Sequence, residues 1–171
     1  MLAKQTIETY NQIKQPPLRP PPWVFGPVWT VLYGVTGYAA HRAIGGALLA
    51  PRSAAQASTA RVAAALYTAQ LGLNLAWMPL FFRWRRPALA LADITALLGA
   101  NSYLVWLFFA PDSAAGGLAD SVAGWCYAPY VAWLGFAAYL NLGVGYLNGW
   151  DISDEALLRR KVEGEAGKKS V

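Results

Sequence analysis

The sequence predicts an all-α membrane protein, a transmembrane helix bundle, and three observations carry that reading. Of 171 residues, 56% are hydrophobic and only 13% charged, where a water-soluble domain carries about 25% charged residues. The apolar residues gather into four long stretches nearly free of charge, each long enough to cross a hydrocarbon core of roughly 30 Å as a helix. No period-two alternation runs through them, and Ala, Leu and Gly dominate, which excludes barrel strands.

The first span is placed at 23–43, closed by His41 and Arg42; the second, at 62–82, lies between Arg61 and Arg83. The third, at 87–110, holds a single charge, Asp93. The fourth, at 122–149, holds none, with Pro129 expected to divide its entry from the helix proper because proline lacks the N–H and crowds the preceding turn. Domain organisation is accordingly simple: an N-terminal segment and proline-rich strip over 1–22, the bundle over 23–150, and a charged tail over 151–171. The connections "GGALLAPRSAAQAST", "RWRR" and "APDSAAGGLAD" are short and polar. The tail alternates charges and reads as a short solvated helix that frays. Residues 1–15 lack the apolar core of a secretory signal and are too polar to span, so import by a cleaved presequence is not expected.

Basic residues divide unevenly between the two sides. One side receives Lys4, Lys14, Arg19, Arg83, Arg85, Arg86, Arg159, Arg160, Lys161, Lys168 and Lys169; the other receives Arg42, Arg52 and Arg61. The positive-inside rule therefore puts the rich side, with both termini of this chain, in the cytosol. The same asymmetry accounts for the net charge of +5, and nucleic acid is not expected as a partner.

Trp23, Trp84, Trp125 and Trp150 stand beside span boundaries and read as an interfacial belt. Trp29, Trp77 and Trp133 lie roughly 9 to 12 Å deeper, at 1.5 Å of rise per residue, where an indole N–H needs a partner. Helical spacing puts each of them on a mixed polar and aromatic stripe: Phe25, Trp29, Tyr33 and Thr36; Gln70, Asn74, Trp77 and Phe81; Tyr130, Trp133, Ala137 and Asn141. Asp93, Leu97 and Asn101 align on the third helix. These stripes are either packing faces glued by Asn74, Asn141 and Asp93 or the walls of a cavity for a flat, mostly apolar ligand. His41 ends a span and Cys126 is the only cysteine, so neither metal nor disulfide chemistry is expected. No nucleophile, base and orienting group fall at a recognisable spacing.

Four segments, "PPPWVFGPVWTVLYGVTGY", "QLGLNLAWMPLFF", "ALADITAL" and "PYVAWLGFAAYLN", occur in family order and resemble the TspO/MBR family of tryptophan-rich sensory proteins and translocator proteins. The resemblance implies a five-helix bundle, often dimeric, of which four helices are present here and the first is replaced by a polar stub. It implies no required cofactor, and a porphyrin or other haem-type tetrapyrrole, a sterol or a benzodiazepine-type compound as ligand. The pocket would open toward the cytosol beneath the proline-rich strip. Carried over by motif, its residues would be Trp23, Phe25, Gly26, Val28, Trp29, Asn74, Trp77, Ala92, Asp93, Ala96, Trp133, Phe136, Ala137 and Leu140, joined by Tyr33 and Asn141 from the stripes. The sterol motif of animal members is incomplete, since no basic residue follows Tyr146 until Arg159. The resemblance also implies two alternatives: porphyrin breakdown with Trp29 and Trp133 as redox-active side chains, or a ligand-free structural subunit. Ala65, Ala69 and Gly72 form a small-residue stripe suited to homodimer contact, and the mitochondrial outer membrane is the expected location.

Overall fold

The computed structural model describes residues 13–112 and 116–169, without the side chains of 161 and 163–169. The polar stretch through residue 12, residues 113–115 of the third connection, and residues 170–171 lie outside the described residues. Helix α1 (Pro22–Ala40) continues through a π-turn (His41–Gly45) into a short α2 (Gly46–Leu49). It is followed by α3 (Ala54–Met78), a second π-turn (Pro79–Arg83), α4 (Pro87–Phe109), α5 (Ser121–Leu147) and α6 (Asp154–Lys169). No strand occurs among the described residues.

Local chemistry fixes the ends. Pro22 and Pro87 open α1 and α4, where the missing N–H costs nothing because first-turn amides have no partner inside the helix. Ser53 caps α3 by accepting from the Gln56 amide at 3.0 Å, and the Gln56 side chain accepts from the Arg52 amide at 2.8 Å, a variant of the reciprocal S-x-x-Q cap. Asp120 caps α5 by accepting from the Ala123 amide at 3.0 Å.

Two sequence expectations are corrected. The first long helical stretch runs on through Leu49, and α3 begins at Ala54 rather than 62, so the first connection shrinks to 50–53. Gly45 and Gly46 take ordinary right-handed helical angles, and Ala43, Ile44, Ala47, Ala60 and Ala63 are buried against the core; for the four alanines small size rather than hydropathy earns that place. Secondly, Pro129 does not divide α5, which is continuous from Ser121 to Leu147. The buried Tyr127 and Tyr130 on either side hold the helix through the lost hydrogen bond. Helix α1 begins at Pro22, and Pro27 lies inside it in the second turn.

Helices α4 and α5 pack most extensively, with α3 against α4 and α1 against α5. Among the described residues, two helices, α4 and α5, are long and apolar enough to cross a membrane. The hydropathy of α3 is diluted by Gln56, Arg61, Thr68, Gln70 and Asn74. Helices α1 and α4 run away from the end where residues 13–21 and α6 lie, here called the tail end; α3 and α5 return to it. The opposite, loop end carries residues 50–53 and 110–120. The tail is not merely solvated: Ile152, just before α6, and Ala156, in its first turn, are buried.

Mid-bundle polar groups are paired across helices. Asn74 donates to Gln70 Oε1 at 2.9 Å and to the Tyr130 hydroxyl, which in turn donates to Gln70 Oε1 at 2.9 Å. The Tyr127 hydroxyl donates to Asn101 Oδ1 at 2.7 Å, and Asn101 donates to the Leu97 carbonyl at 2.7 Å. Such contacts bind helices where no water can substitute.

Candidate functional site

Toward the tail end the bundle is hollow. A cavity of about 320 Å³ is lined by Phe25, Gly26 and Trp29 of α1, Trp77 and Met78 of α3, Phe81 and Phe82 of the second π-turn, and Ala137, Leu140, Asn141 and Val144 of α5. Gln15 and Pro22 reach it from the proline-rich strip.

The second π-turn explains two of the aromatic walls. Pro79 has no N–H, so the α-helical bond to Leu75 cannot form, and the chain widens by one residue: the Trp84 amide donates to the Pro79 carbonyl, five residues back, at 2.9 Å. The wider turn places Phe81 and Phe82 beside Trp77, with the Trp77 and Phe81 rings stacked at 5.0 Å and 17°, and Phe82 edge-on to both. Trp77 is fixed from the other side as its indole N–H donates to Asn141 Oδ1 at 3.2 Å, while Asn141 donates to the Pro87 carbonyl at 2.9 Å. One asparagine thereby ties α3, α4 and α5 together at the cavity wall.

Of the residues expected at the site, the structure gathers Phe25, Gly26, Trp29, Trp77, Ala137, Leu140 and Asn141 around the cavity. The others stand elsewhere. Trp23 is 73% exposed on the outer face of α1. Val28 packs on the core, and Tyr33, one turn beyond Trp29, rests against it with ring centroids 5.2 Å apart and is itself exposed. Asn74 belongs to the mid-bundle network. Ala92 and Ala96 lie on the exposed side of α4, because its buried face is set by Ala90, Asp93, Ile94, Leu97 and Asn101 and each residue turns a helix by about 100°. Trp133 stands edge-on to Phe25 at 6.0 Å and tilted against Phe136 at 5.6 Å, and neither Trp133 nor Phe136 lines the wall. Asp93 is buried at 8% exposure but does not reach the cavity; its Oδ2, like the Trp133 indole nitrogen, has no hydrogen-bond partner among the described residues. The cavity thus brings Trp29 and Trp77 together, and Trp133 is not among the residues that line it.

Gln15, Met78, Phe82 and Val144 line the cavity without having been anticipated. Val144 could have been found, one turn past Ala137 and Leu140; the others depend on the π-turn and the path of the strip. At the boundaries Trp84, Trp125 and Trp150 are exposed, as an interfacial belt requires.

The TspO/MBR family matches over residues 1–147. The chain belongs to that family. It is 46% identical over 85 residues to a translocator protein homolog of Schizosaccharomyces pombe, 38% over 88 residues to the human translocator protein, and 38% over 87 residues to the tryptophan-rich sensory protein of Cereibacter sphaeroides. These matches take in 50, 52 and 51% of this chain and 49, 48 and 48% of the three relatives, so the chain spans about half the length of the curated relatives it matches. Membership of TspO/MBR makes the bundle an integral membrane one, and α3 to α5 leave apolar side chains exposed on their outer faces, among them Leu75, Trp106 and Leu142. Trp106, stacked on Tyr103 at 5.5 Å, extends that surface.

Proposed function

We propose that this TspO/MBR protein is a membrane receptor or translocator that takes a flat, largely apolar ligand of the tetrapyrrole class into the tail-end cavity. The observation that carries the reading is the wall: among the described residues it holds five aromatic rings, Phe25, Trp29, Trp77, Phe81 and Phe82, with Gln15 and Asn141 as its polar side chains. Small-molecule sites are built this way, apolar with a few convergent polar groups, and span about 300–1,000 Å³. At about 320 Å³ the space is at the small end, so a macrocycle enters edge-first with the proline-rich strip displaced. Sterols and benzodiazepine-type compounds are the runner-up occupants, and no acid–base pair at the wall favours catalysis.

The tail end, rich in Arg and Lys, faces the cytosol in this reading, and the mitochondrial outer membrane is the proposed location. Ala65, Ala69 and Gly72 are all exposed on α3, and we assign them to a homodimer contact. The ligand reading is tested by titrating the purified protein with protoporphyrin IX while following Trp fluorescence. Saturable quenching that is lost in Trp29→Phe, Trp77→Phe supports it; quenching unchanged in that double variant rejects this cavity as the site.

A further inference from the structure

The strip that covers the cavity is fastened at several successive residues. The Ile13 side chain inserts into a small apolar cluster with Phe81, Ala90, Val144 and Ile152. The Lys14 backbone is clamped in both directions by one side chain: its amide donates to Asn148 Oδ1 at 3.1 Å, and its carbonyl accepts from Asn148 Nδ2 at 2.8 Å. Pro16 lies so close over Gly143 that a Cβ there would stand 2.6 Å from the proline ring. The Pro17 carbonyl accepts from the Tyr139 hydroxyl at 3.0 Å. Leu18 then turns the chain with φ of 66°, a left-handed conformation that non-glycine residues adopt only when held. Between these anchors Gln15 faces the cavity.

Asn148 is the centre of this arrangement. It is 2% exposed and uses all of its side-chain capacity, two acceptor sites on Oδ1 and two N–H groups on Nδ2. Nδ2 donates to the Lys14 and Val144 carbonyls, both at 2.8 Å; Oδ1 accepts from Lys14 and, at 3.0 Å, from Arg160 Nη1. Arg160, on α6, also donates to the Asn148 and Asp151 carbonyls. A guanidinium can only donate, so it obliges Oδ1 to face it and sends Nδ2 toward Lys14. Helix α6 is held for this task by the buried Ile152 and Ala156 and by the Arg85–Asp154 ion pair.

We propose that Arg160 and Asn148 form a latch through which the C-terminal helix holds the proline-rich strip over the cavity and sets how fast a ligand enters and leaves. Both are positioning residues: neither touches the cavity, and both act through the backbone of Lys14, the neighbour of Gln15. Gly143 is the seat that lets the strip lie down. The rate-setting part rests on the ligand reading above; the fastening does not.

The test uses the full chain in lipid nanodiscs, as wild type, Arg160→Ala, Arg160→Lys, Gly143→Ala, and Leu158→Ala as an α6 control on the exposed face. Two quantities are read: hydrogen exchange at the Lys14 amide, and stopped-flow association and dissociation of protoporphyrin IX. Arg160→Ala and Gly143→Ala are expected to raise Lys14 exchange about tenfold, and to speed association and dissociation together by a similar factor, with Kd changing less than about threefold. Arg160→Lys restores part of the effect, and Leu158→Ala matches wild type. A merely structural role for Arg160 would lower the melting temperature without moving both rates in parallel. Unchanged Lys14 exchange in both variants overturns the latch outright. Raised exchange with unchanged rates overturns the rate-setting part, whereas raised exchange in a wild-type protein that binds no protoporphyrin IX supports the fastening and defeats the ligand reading alone.

Discussion

The two ends of the bundle are closed by different means. At the loop end charged groups meet: Arg42 pairs with Asp120 at 2.9 Å, Arg52 lies 3.6 Å from Asp112, and Arg52 and Gln56 both donate to the Leu118 carbonyl. Asp120 serves twice there, as cap of α5 and as partner of the π-turn His41–Gly45. At the tail end the strip is closed over the cavity by an amide clamp backed by Arg160 and by a proline over a glycine, and beneath it the helices stand apart around aromatic rings. A bundle can cross-link an end with partly exposed polar groups or keep an apolar space open, and this chain does the first at one end and the second at the other.

The comparison breaks most sharply if the hollow is filled. Ala137→Trp puts an indole into the cavity and is expected to weaken protoporphyrin IX binding by a hundredfold or more, about 2.7 kcal/mol, while leaving the thermal midpoint within a few degrees. A fall in midpoint without loss of binding would mean that the space is not the site. Next in size is the loop end. Asp120→Ala removes a cap, typically worth about 1 kcal/mol, together with the partner of Arg42, and should lower unfolding stability by roughly 1–2 kcal/mol with protoporphyrin IX affinity unchanged.

Tyr127→Phe probes the middle of the bundle, where it strands the buried Asn101 Oδ1. Interhelical hydrogen bonds in membranes average about 0.6 kcal/mol and reach about 1.7; the full burial of Asn101 and Tyr127 puts this one near the upper value, measurable by reversible unfolding in detergent. The smallest effect is a pH response confined to the tail. The Asp151 carboxylate accepts from the Ser153 backbone amide at 2.9 Å, which, with the Ser153 side chain and nearby Arg160 and Arg159, holds its pKa below the ordinary value. A carboxyl lowered in the folded chain contributes above its unfolded pKa of about 3.9 and loses that contribution as pH falls through the lower folded value. Amide exchange at Ser153 should therefore rise only below that range, and Asp151→Asn should abolish the response.

How far the sequence could foresee these ends differs in the same way. Helix α4 was legible almost to the residue, because an apolar run with one charge follows Pro87, whereas for α5 the ends were legible to within two residues and its continuity through Pro129 was not. The loop-end extension of the first stretch through Gly45 and Gly46 was not: glycine and alanine there carry weak propensity, and what decides is that small side chains let Ala43, Ala47, Ala60 and Ala63 pack closely. At the cavity, Phe25 with Trp29, and Ala137 with Leu140 and Asn141, follow from three- and four-residue spacing. Phe82 does not, since one residue gained in a π-turn rotates everything after it. Ala92 and Ala96 show the converse: a motif names a segment correctly, yet a helix shows only part of its circumference to any one space.

The π-turn after Met78 has a consequence for how this cavity could change over generations. It contains one residue beyond what the helical repeat requires, so deleting Leu80 would leave the same ends to be joined while swinging Phe81 and Phe82 around the axis. The size of the hollow is thus set in part by residue number rather than by residue type, and a single-codon loss could remodel it without altering any side chain on its wall.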